Sequence, residues 1–517
     1  MPKGVVVSSR VVDASTRDRV LAPRDHVVLE RETGPGRFEM VEGPFHEYTR
    51  TVVIGDTSLE GTSLTQTVEY RTAMPFFGAL LTRPIRKQLA DLSGADDWPW
   101  WGPPERQSVR VSEMLGLLCG LAFVVGYAVS VTTQTMTFAV DEFGVSDAAQ
   151  GNALASVRIG VLMSLGLLAV ADRRGRRAVL LGTVAASCVA AAIGAIAPDI
   201  YLLAGSQTIT RGLATTASIL LGVVAAEEVG PRSRAYAVSM LVMTGGAGAF
   251  LSIMLLPVAG IAEWTWRLLF LVPLLFLPMC RSVARVLPES RRFTAADIGR
   301  PDADPVRDPT ARRKFRNRLL LLAVAGFVHA TFQAPTNQLL NDFLKDERGF
   351  SASGISGFRM VTSLPGIIGI VIGGKLAEVH GRRLVGAIAV FVGAATTVVT
   401  YNSDGAVMWL VAVVSIVFSA ATVPALGVYG PELFPTALRG RANAVITTIT
   451  VAGSATGLVI AGQLDDRYGG LGRGVALLGI GPVLVVAMIA LLYPETANRE
   501  LEDLNPEDGP IVPRLEF

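Results

Sequence analysis

The sequence predicts an all-α polytopic membrane protein: twelve transmembrane helices in two six-helix halves, preceded by a small α+β module. Three observations predict it. Half of the 517 residues are apolar and only 17% are charged, against about 25% in soluble domains. The chain runs from Met114 to Val140 without a charge, which exceeds the ~20 residues that cross a bilayer. Similar runs recur to Tyr493, and landmarks of the first six return in the last six about 205 residues later.

The same figures exclude other classes. A mean hydropathy of +0.46 is incompatible with a disordered chain. A net charge of +2 gives no basic footprint for nucleic acid. Cys119, Cys188 and Cys280 lie inside apolar runs, an odd and widely spaced set that makes neither a disulfide framework nor a zinc site. Near the start the longest apolar run is Val5-Val6-Val7, so no signal peptide is expected.

Residues 1–95 are polar and read as a cytoplasmic module. Val27–Glu30, Arg37–Val41, Tyr48–Ile54 and Ser63–Tyr70 read as strands, parted by the turn signals Gly34-Pro35-Gly36, Gly43-Pro44 and Gly55-Asp56. Phe76, Phe77, Leu80, Leu81, Ile85 and Leu89 mark one apolar helical face, with Pro84 expected to kink it. This pattern resembles the C-terminal part of the START-like, polyketide-cyclase-like helix-grip fold. That resemblance implies a sheet wrapped on a long helix and an apolar ligand, although the module is short enough to be an incomplete copy. Residues 96–111 form a linker in which Trp98, Trp100 and Trp101 fit an interfacial aromatic belt and Pro99, Pro103 and Pro104 stiffen it.

The twelve spans are expected at 113–140, 149–171, 178–197, 200–226, 235–260, 266–286, 319–342, 354–377, 384–401, 406–429, 442–463 and 473–493. Ten or eleven stay open as alternatives, because the break within 400–430 rests only on Asn402-Ser403-Asp404-Gly405. The halves are then 112–286 and 319–493, joined by a basic loop at 287–318, with a tail at 494–517. Arg281 to Arg318 holds ten Arg and one Lys, and the turns after spans 2 and 8 end in Arg176-Arg177 and Arg382-Arg383. The alternate loops carry Asp141, Glu142, Asp147, Asp199 and Asp404. The positive-inside bias puts both termini in the cytoplasm and the chain in the cell membrane.

The repeat is specific. Gly144-Val145-Ser146 matches Gly349-Phe350-Ser351, and Asp172-Arg173-Arg174-Gly175-Arg176-Arg177 matches Glu378-Val379-His380-Gly381-Arg382-Arg383. Glu228, Pro231 and Arg234 match Glu432, Pro435 and Arg439, and Pro288-Glu289-Ser290 matches Pro494-Glu495-Thr496. Two parallel six-helix halves with a site between them is a transporter architecture. At this point the residues resemble the major facilitator superfamily, whose signature after helices 2 and 8 is G-x-L-A-D-R-x-G-R-R. Residues 374–383 fit it from Gly374 onward, while the first copy departs at Leu168 and Val170. The cluster PELFPTALRGRA is similar to the sugar-porter and metabolite–proton symporter branches.

These motifs have a physical reading. A small residue such as Gly374 lets helices approach. The carboxylates of Asp172 and Glu378 suit positive helix N-termini. Arg173, Arg176, Arg177, Arg234, Arg382, Arg383 and Arg439 can pair with Glu228, Glu289, Glu432 and Glu495 to gate the cytoplasmic side, with Gly175 and Gly381 at the turns.

Ionisable groups inside a membrane are costly and face cavities. Arg158, Arg211 and His329 each lie about ten residues into their spans. Tyr127, Gln134, Gln207, Gln333 and Asn337 gather beside them as further candidates for a substrate cavity. Arg359, nearer a span end, is expected to snorkel. Asp141, Glu142 and Asp342 sit at outer ends, so a proton relay would use an edge carboxylate or His329. The resemblance implies a monomeric secondary transporter of a small organic solute, coupled to protons by alternating access. The central arginines favour a carboxylate, with a sugar, a polyol or drug efflux as alternatives. A non-transporting receptor anchoring the module is the reading from another class. No catalytic, cofactor or metal motif is visible, so no enzyme is expected.

Overall fold

The computed structural model describes residues 3–58, 61–75, 78–93, 102–103, 105–229, 233–287, 309–427, 429–434 and 436–497. The expected linker tryptophans Trp98, Trp100 and Trp101 lie outside them, as does Glu289.

The module opens with β1 (Gly4–Val12) and α1 (Ala14–Val20), followed by β2 (Leu29–Gly34), β3 (Arg37–Glu42), β4 (Phe45–Ser58), β5 (Gly61–Thr72) and α2 (Gly78–Leu89). The strands form one antiparallel sheet in the order β1-β5-β4-β3-β2. Strand periodicity explains the core: Leu64, Gln66, Val68 and Tyr70 alternate inward along β5. Val6, Val28, Phe45, Tyr48, Val68, Tyr70 and Leu89 pack as one cluster. The sequence reading had four strands and missed β1, whose Ser8-Ser9-Arg10 interrupts its apolar residues. Helix α2 is 12 residues long, so the likeness to a helix-grip fold rests on the sheet.

Among the described residues, one ion pair of this module is buried. Arg50 and Glu30 bond at 2.5 Å, with Arg50 1% exposed. Tyr48 donates to Glu30 at 2.6 Å, and Arg50 donates to the Val20 and Ala22 carbonyls at 2.7 and 2.8 Å. Burial alone would push the Glu30 carboxyl up, but the Arg50 hydrogen bonds and charge hold it below the usual carboxylate range.

Among the described residues, twelve helices are long and apolar enough to cross a membrane. Spans 1 to 6 are Val109–Phe143, Asp147–Ala171, Arg176–Ile196, Ile200–Ala225, Tyr236–Gly260 and Trp266–Arg285. Spans 7 to 12 are Arg312–Glu347, Ala352–Ala377, Arg382–Tyr401, Gly405–Leu426, Arg441–Tyr468 and Leu471–Leu492. Span 7 runs five residues past the expected end, through a π-turn at Phe343–Glu347.

Glycines set the packing of both halves in the same way. A Cβ on Gly126 would overlap the Gly245 carbonyl oxygen, and one on Gly248 the Phe123 oxygen, so spans 1 and 5 touch backbone to backbone. Gly453 and Gly457 bring span 11 onto the Phe327 and Thr331 carbonyls of span 7 in the same manner. The internal repeat is therefore present in the packing and not only in the motifs.

The module docks on the end of the bundle where spans 1 and 5 begin. Arg106 donates to the His26 carbonyl at 2.9 Å and pairs with Asp25, while the Glu105 amide donates to Ser233 at 3.1 Å. A small apolar cavity of about 70 Å³ lies in this seam, with Val28, Phe45, Ile85, Leu89 and Leu115 in its wall.

Candidate functional site

A cavity of about 780 Å³ lies between the two halves at mid-span. Six of the eight residues singled out from the sequence line it: Gln134, Arg158, Arg211, His329, Gln333 and Asn337. Spans 1, 2, 4 and 5 supply one wall, and spans 7, 8 and 11 the other. Gly246 leaves its lining open where a larger side chain would fill it. Tyr127 and Gln207 do not line it. The Tyr127 hydroxyl donates to the Leu269 carbonyl at 2.9 Å, and Gln207 accepts from Thr132 at 3.0 Å inside the first half.

Arg359 is the addition. It is 8% exposed and lines the cavity, so it does not snorkel as the sequence reading expected. Asn341 accepts from its Nε at 2.5 Å and the Asn337 carbonyl from its Nη2 at 3.1 Å, which supplies inside the bundle the partners that a snorkelling head group finds in water. Its signal was present: Arg359 stands 201 residues after Arg158, close to the repeat offset.

The three guanidinium groups differ in their partners. The Gln338 carboxamide oxygen, oriented by this contact, accepts from Arg158 Nε and Nη2 at 2.5 Å each. Arg359 is held by Asn341 and Asn337. Arg211 Nε is buried with no hydrogen-bond partner, and so is His329 Nδ1. Among the described residues no Asp or Glu lines this cavity. It is a cationic chamber.

At the end away from the chain termini, hydrogen bonds join the halves. Asn341 donates to the Gln134 carbonyl at 2.9 Å, Gln150 to Asp342 at 2.8 Å, and Ser356 to the Ile253 carbonyl at 2.7 Å. Lys345 pairs with Asp141, and the Ala148 amide donates to Asp466 at 3.3 Å. Gly151 and Gly462 bring spans 2 and 11 into backbone contact. This seal closes the chamber at that end.

At the other end the motif residues of the second half form a cluster. Gly381 has φ +93° and ψ 141°, matching Gly175 at φ 100° and ψ 139°, and turns span 8 into span 9. Glu495 accepts from the Arg382 and Arg383 amides at 2.9 and 3.2 Å, at the N-terminus of span 9. Burial would raise the Glu495 carboxyl, but the amides of Ala497, Arg382, Arg383 and Thr496 keep it below the usual range. Arg382 pairs with Glu432 and donates to Thr496 at 3.1 Å. In the first half, Arg177 donates to the Ala284 carbonyl, and Arg176 heads span 3. Gly374 lies against Pro424 of span 10. The side chains of Asp172, Arg173, Arg234, Glu378 and Arg439 lie outside the description, and Glu228 ends the span-4 helix.

A profile of the Major Facilitator Superfamily matches residues 118–364 and 322–516. The chain belongs to that superfamily. Among its relatives, the 3-(3-hydroxy-phenyl)propionate transporter of Escherichia coli K12 is 26% identical over 405 residues, 74% of this chain and 94% of that protein. Among solved structures, the inward-open xylose transporter XylE of E. coli aligns with a TM-score of 0.61 at 17% identity, covering 77% of this chain and 99% of that one. The nucleoside transporter NupG aligns with a TM-score of 0.59 at 13% identity, covering 74% and 100%. As a member of the Major Facilitator Superfamily, the chain is a multi-pass membrane transporter of small solutes and not an enzyme.

Proposed function

We propose that the protein is a monomeric, proton-coupled transporter of an organic carboxylate in the cell membrane, with both termini in the cytoplasm. The observation that carries this reading is the chamber itself: three arginines and a histidine in its wall, no acidic residue among the described ones, and a buried guanidinium nitrogen without a partner. A buried cation without a counter-ion is strongly unfavourable, and a carboxylate that accepts charge-assisted bonds from Arg offsets that cost. The relative's name, that of an arylpropionate transporter, supports the same class. The basic loops support cytoplasmic termini. With that orientation the seal lies on the outer side, and the conformation is the inward-facing one.

Reconstitution into liposomes tests the reading. Uptake of labelled phenylpropionate should be competed by other monocarboxylates and not by the matching amides. Equal competition by amides would count against it. The apolar seam beside the module supports a small apolar ligand there. Deleting residues 1–95 should leave uptake in place and remove any response to such a ligand.

A further inference from the structure

We propose that the seal between the halves is itself a proton-binding site, in which closure of the outer end takes a proton onto Asp342 of span 7. The inference rests on the transporter reading for its sidedness, and its test needs no solute.

The geometry carries it. Asp342 is 6% exposed, at the point where spans 1, 2 and 7 meet. Its Oδ1 accepts from Gln150 Nε2 of span 2 at 2.8 Å. Its Oδ2 is buried with no hydrogen-bond partner. The Thr137 hydroxyl of span 1 is buried and stands beside it as a further hydrogen-bonding group.

Among the described residues, no cation forms an ion pair with this carboxyl. Arg359 of span 8 is the positive group that faces it, but its Nε and Nη2 go to Asn341 and Asn337. Among the described residues it makes no ion pair with Asp342. Lys345 of span 7 pairs with Asp141 of span 1. Tyr401 of span 9 is the remaining titratable neighbour, and its hydroxyl donates to the Thr336 carbonyl at 2.7 Å. Arg348 at the end of span 7 pairs with Glu347 at 3.9 Å and donates to the Ser403 carbonyl at 3.0 Å, and the seal also carries a group of acids. Asp346 and Glu347 on span 7, Asp147 on span 2, and Asp465 and Asp466 on span 11 act on one another across the two halves. Glu347 accepts from the Leu471 amide.

An ionised Asp342 would therefore be a buried charge without an ion-pair partner. A proton on Oδ2 removes the charge, and the O–H so formed can donate to Thr137 Oγ1, a hydroxyl that accepts as well as donates. Opening the outer end gives the carboxyl water and lets it ionise. The balance is simple: the open form is a carboxylate, the closed form a carboxylic acid, and the proton comes from outside water. Asp342 does not line the solute chamber, so this proton acts on the gate and not on the solute.

The test follows opening at Ala461 of span 11, which is 2% exposed in the closed seal. In the full-length protein, Ala461→Cys is labelled with a membrane-impermeant maleimide between pH 5 and 8. Its rate is divided by that of Glu263→Cys, an exposed position between spans 5 and 6, which cancels the reagent's own pH dependence. The wild-type Asp342 background should show the ratio falling with acid, by up to about tenfold per pH unit for one linked proton. Asp342→Asn should keep the ratio low and flat. Should that variant fail to fold, Thr137→Val, which removes a hydrogen bond to the ionised carboxylate, should move the fall to higher pH. A flat wild-type profile, or an unchanged slope in Asp342→Asn, would overturn the proposal. Loss of carboxylate uptake with this labelling pattern intact would instead sink the solute reading and leave the gate standing.

Discussion

The three arginines of the chamber are not equivalent, and Arg211→Gln is the substitution that separates them. Arg158 already donates two bonds to Gln338, and Arg359 is held by Asn341 and Asn337. Arg211 lines the chamber and its buried Nε has no partner, so it is the arginine assigned to the ligand. A hydrogen bond to a charged group contributes about 1.5–3 kcal/mol. Losing one such contact corresponds to roughly 10- to 150-fold in affinity at about 1.4 kcal/mol per factor of ten. Arg211→Gln should therefore raise the KM for carboxylate uptake in liposomes by that factor. Arg211→Lys keeps the charge and loses the planar fork, so its effect should be intermediate. Arg158→Gln should perturb uptake less through the ligand and more through the loss of a tie between the halves. Uptake undiminished in Arg211→Gln, or a preference of the wild type for cationic compounds, would refute the assignment.

Other outcomes follow from the packing. Arg50→Met leaves Glu30 buried without its counter-ion, which should cost the module about 3–5 kcal/mol and show as faster trypsin cleavage within residues 3–93. The Glu30 carboxyl sits below its unfolded value, so its contribution to stability is present at neutral pH. It is lost as pH falls below about 4.3 and through the folded value, which an acid titration of the same cleavage checks. Gly248→Val forces spans 1 and 5 apart and should cost about 1–3 kcal/mol, read as a lower melting temperature in detergent. Glu495→Gln keeps the shape but removes the charge that faces the Arg382 and Arg383 amides; flux should slow while expression stays near normal, and an unchanged rate would remove Glu495 from the gate.

The bundle was legible because a bilayer demands length and apolarity, and both can be read in a linear text. The repeat was legible because its motifs sit at helix ends, where Gly175 and Gly381 need the same backbone conformation. Which face of a span a residue occupies was less legible. Counting residues gave Tyr127 and Gln207 the right depth, but their side chains turn to Leu269 and Thr132. Counting also misjudged Arg359, because it stands eight residues into span 8 and its partners Asn337 and Asn341 come from another helix. The bonding of Asp342 was out of reach for the same reason: Gln150 and Thr137 come from two other spans. In the module, strand β1 was hidden because it is a sheet edge whose apolar side chains are spaced out by polar ones.

The central claim is that the chamber selects a negative charge. Equilibrium binding of phenylpropionate and of its isosteric amide to the purified wild-type protein, measured side by side by calorimetry, tests it most directly. The account predicts tighter binding of the carboxylate by roughly 10-fold or more, with the difference collapsing in Arg211→Gln. Equal affinity for acid and amide in the wild type, or a difference that survives in Arg211→Gln, would contradict it.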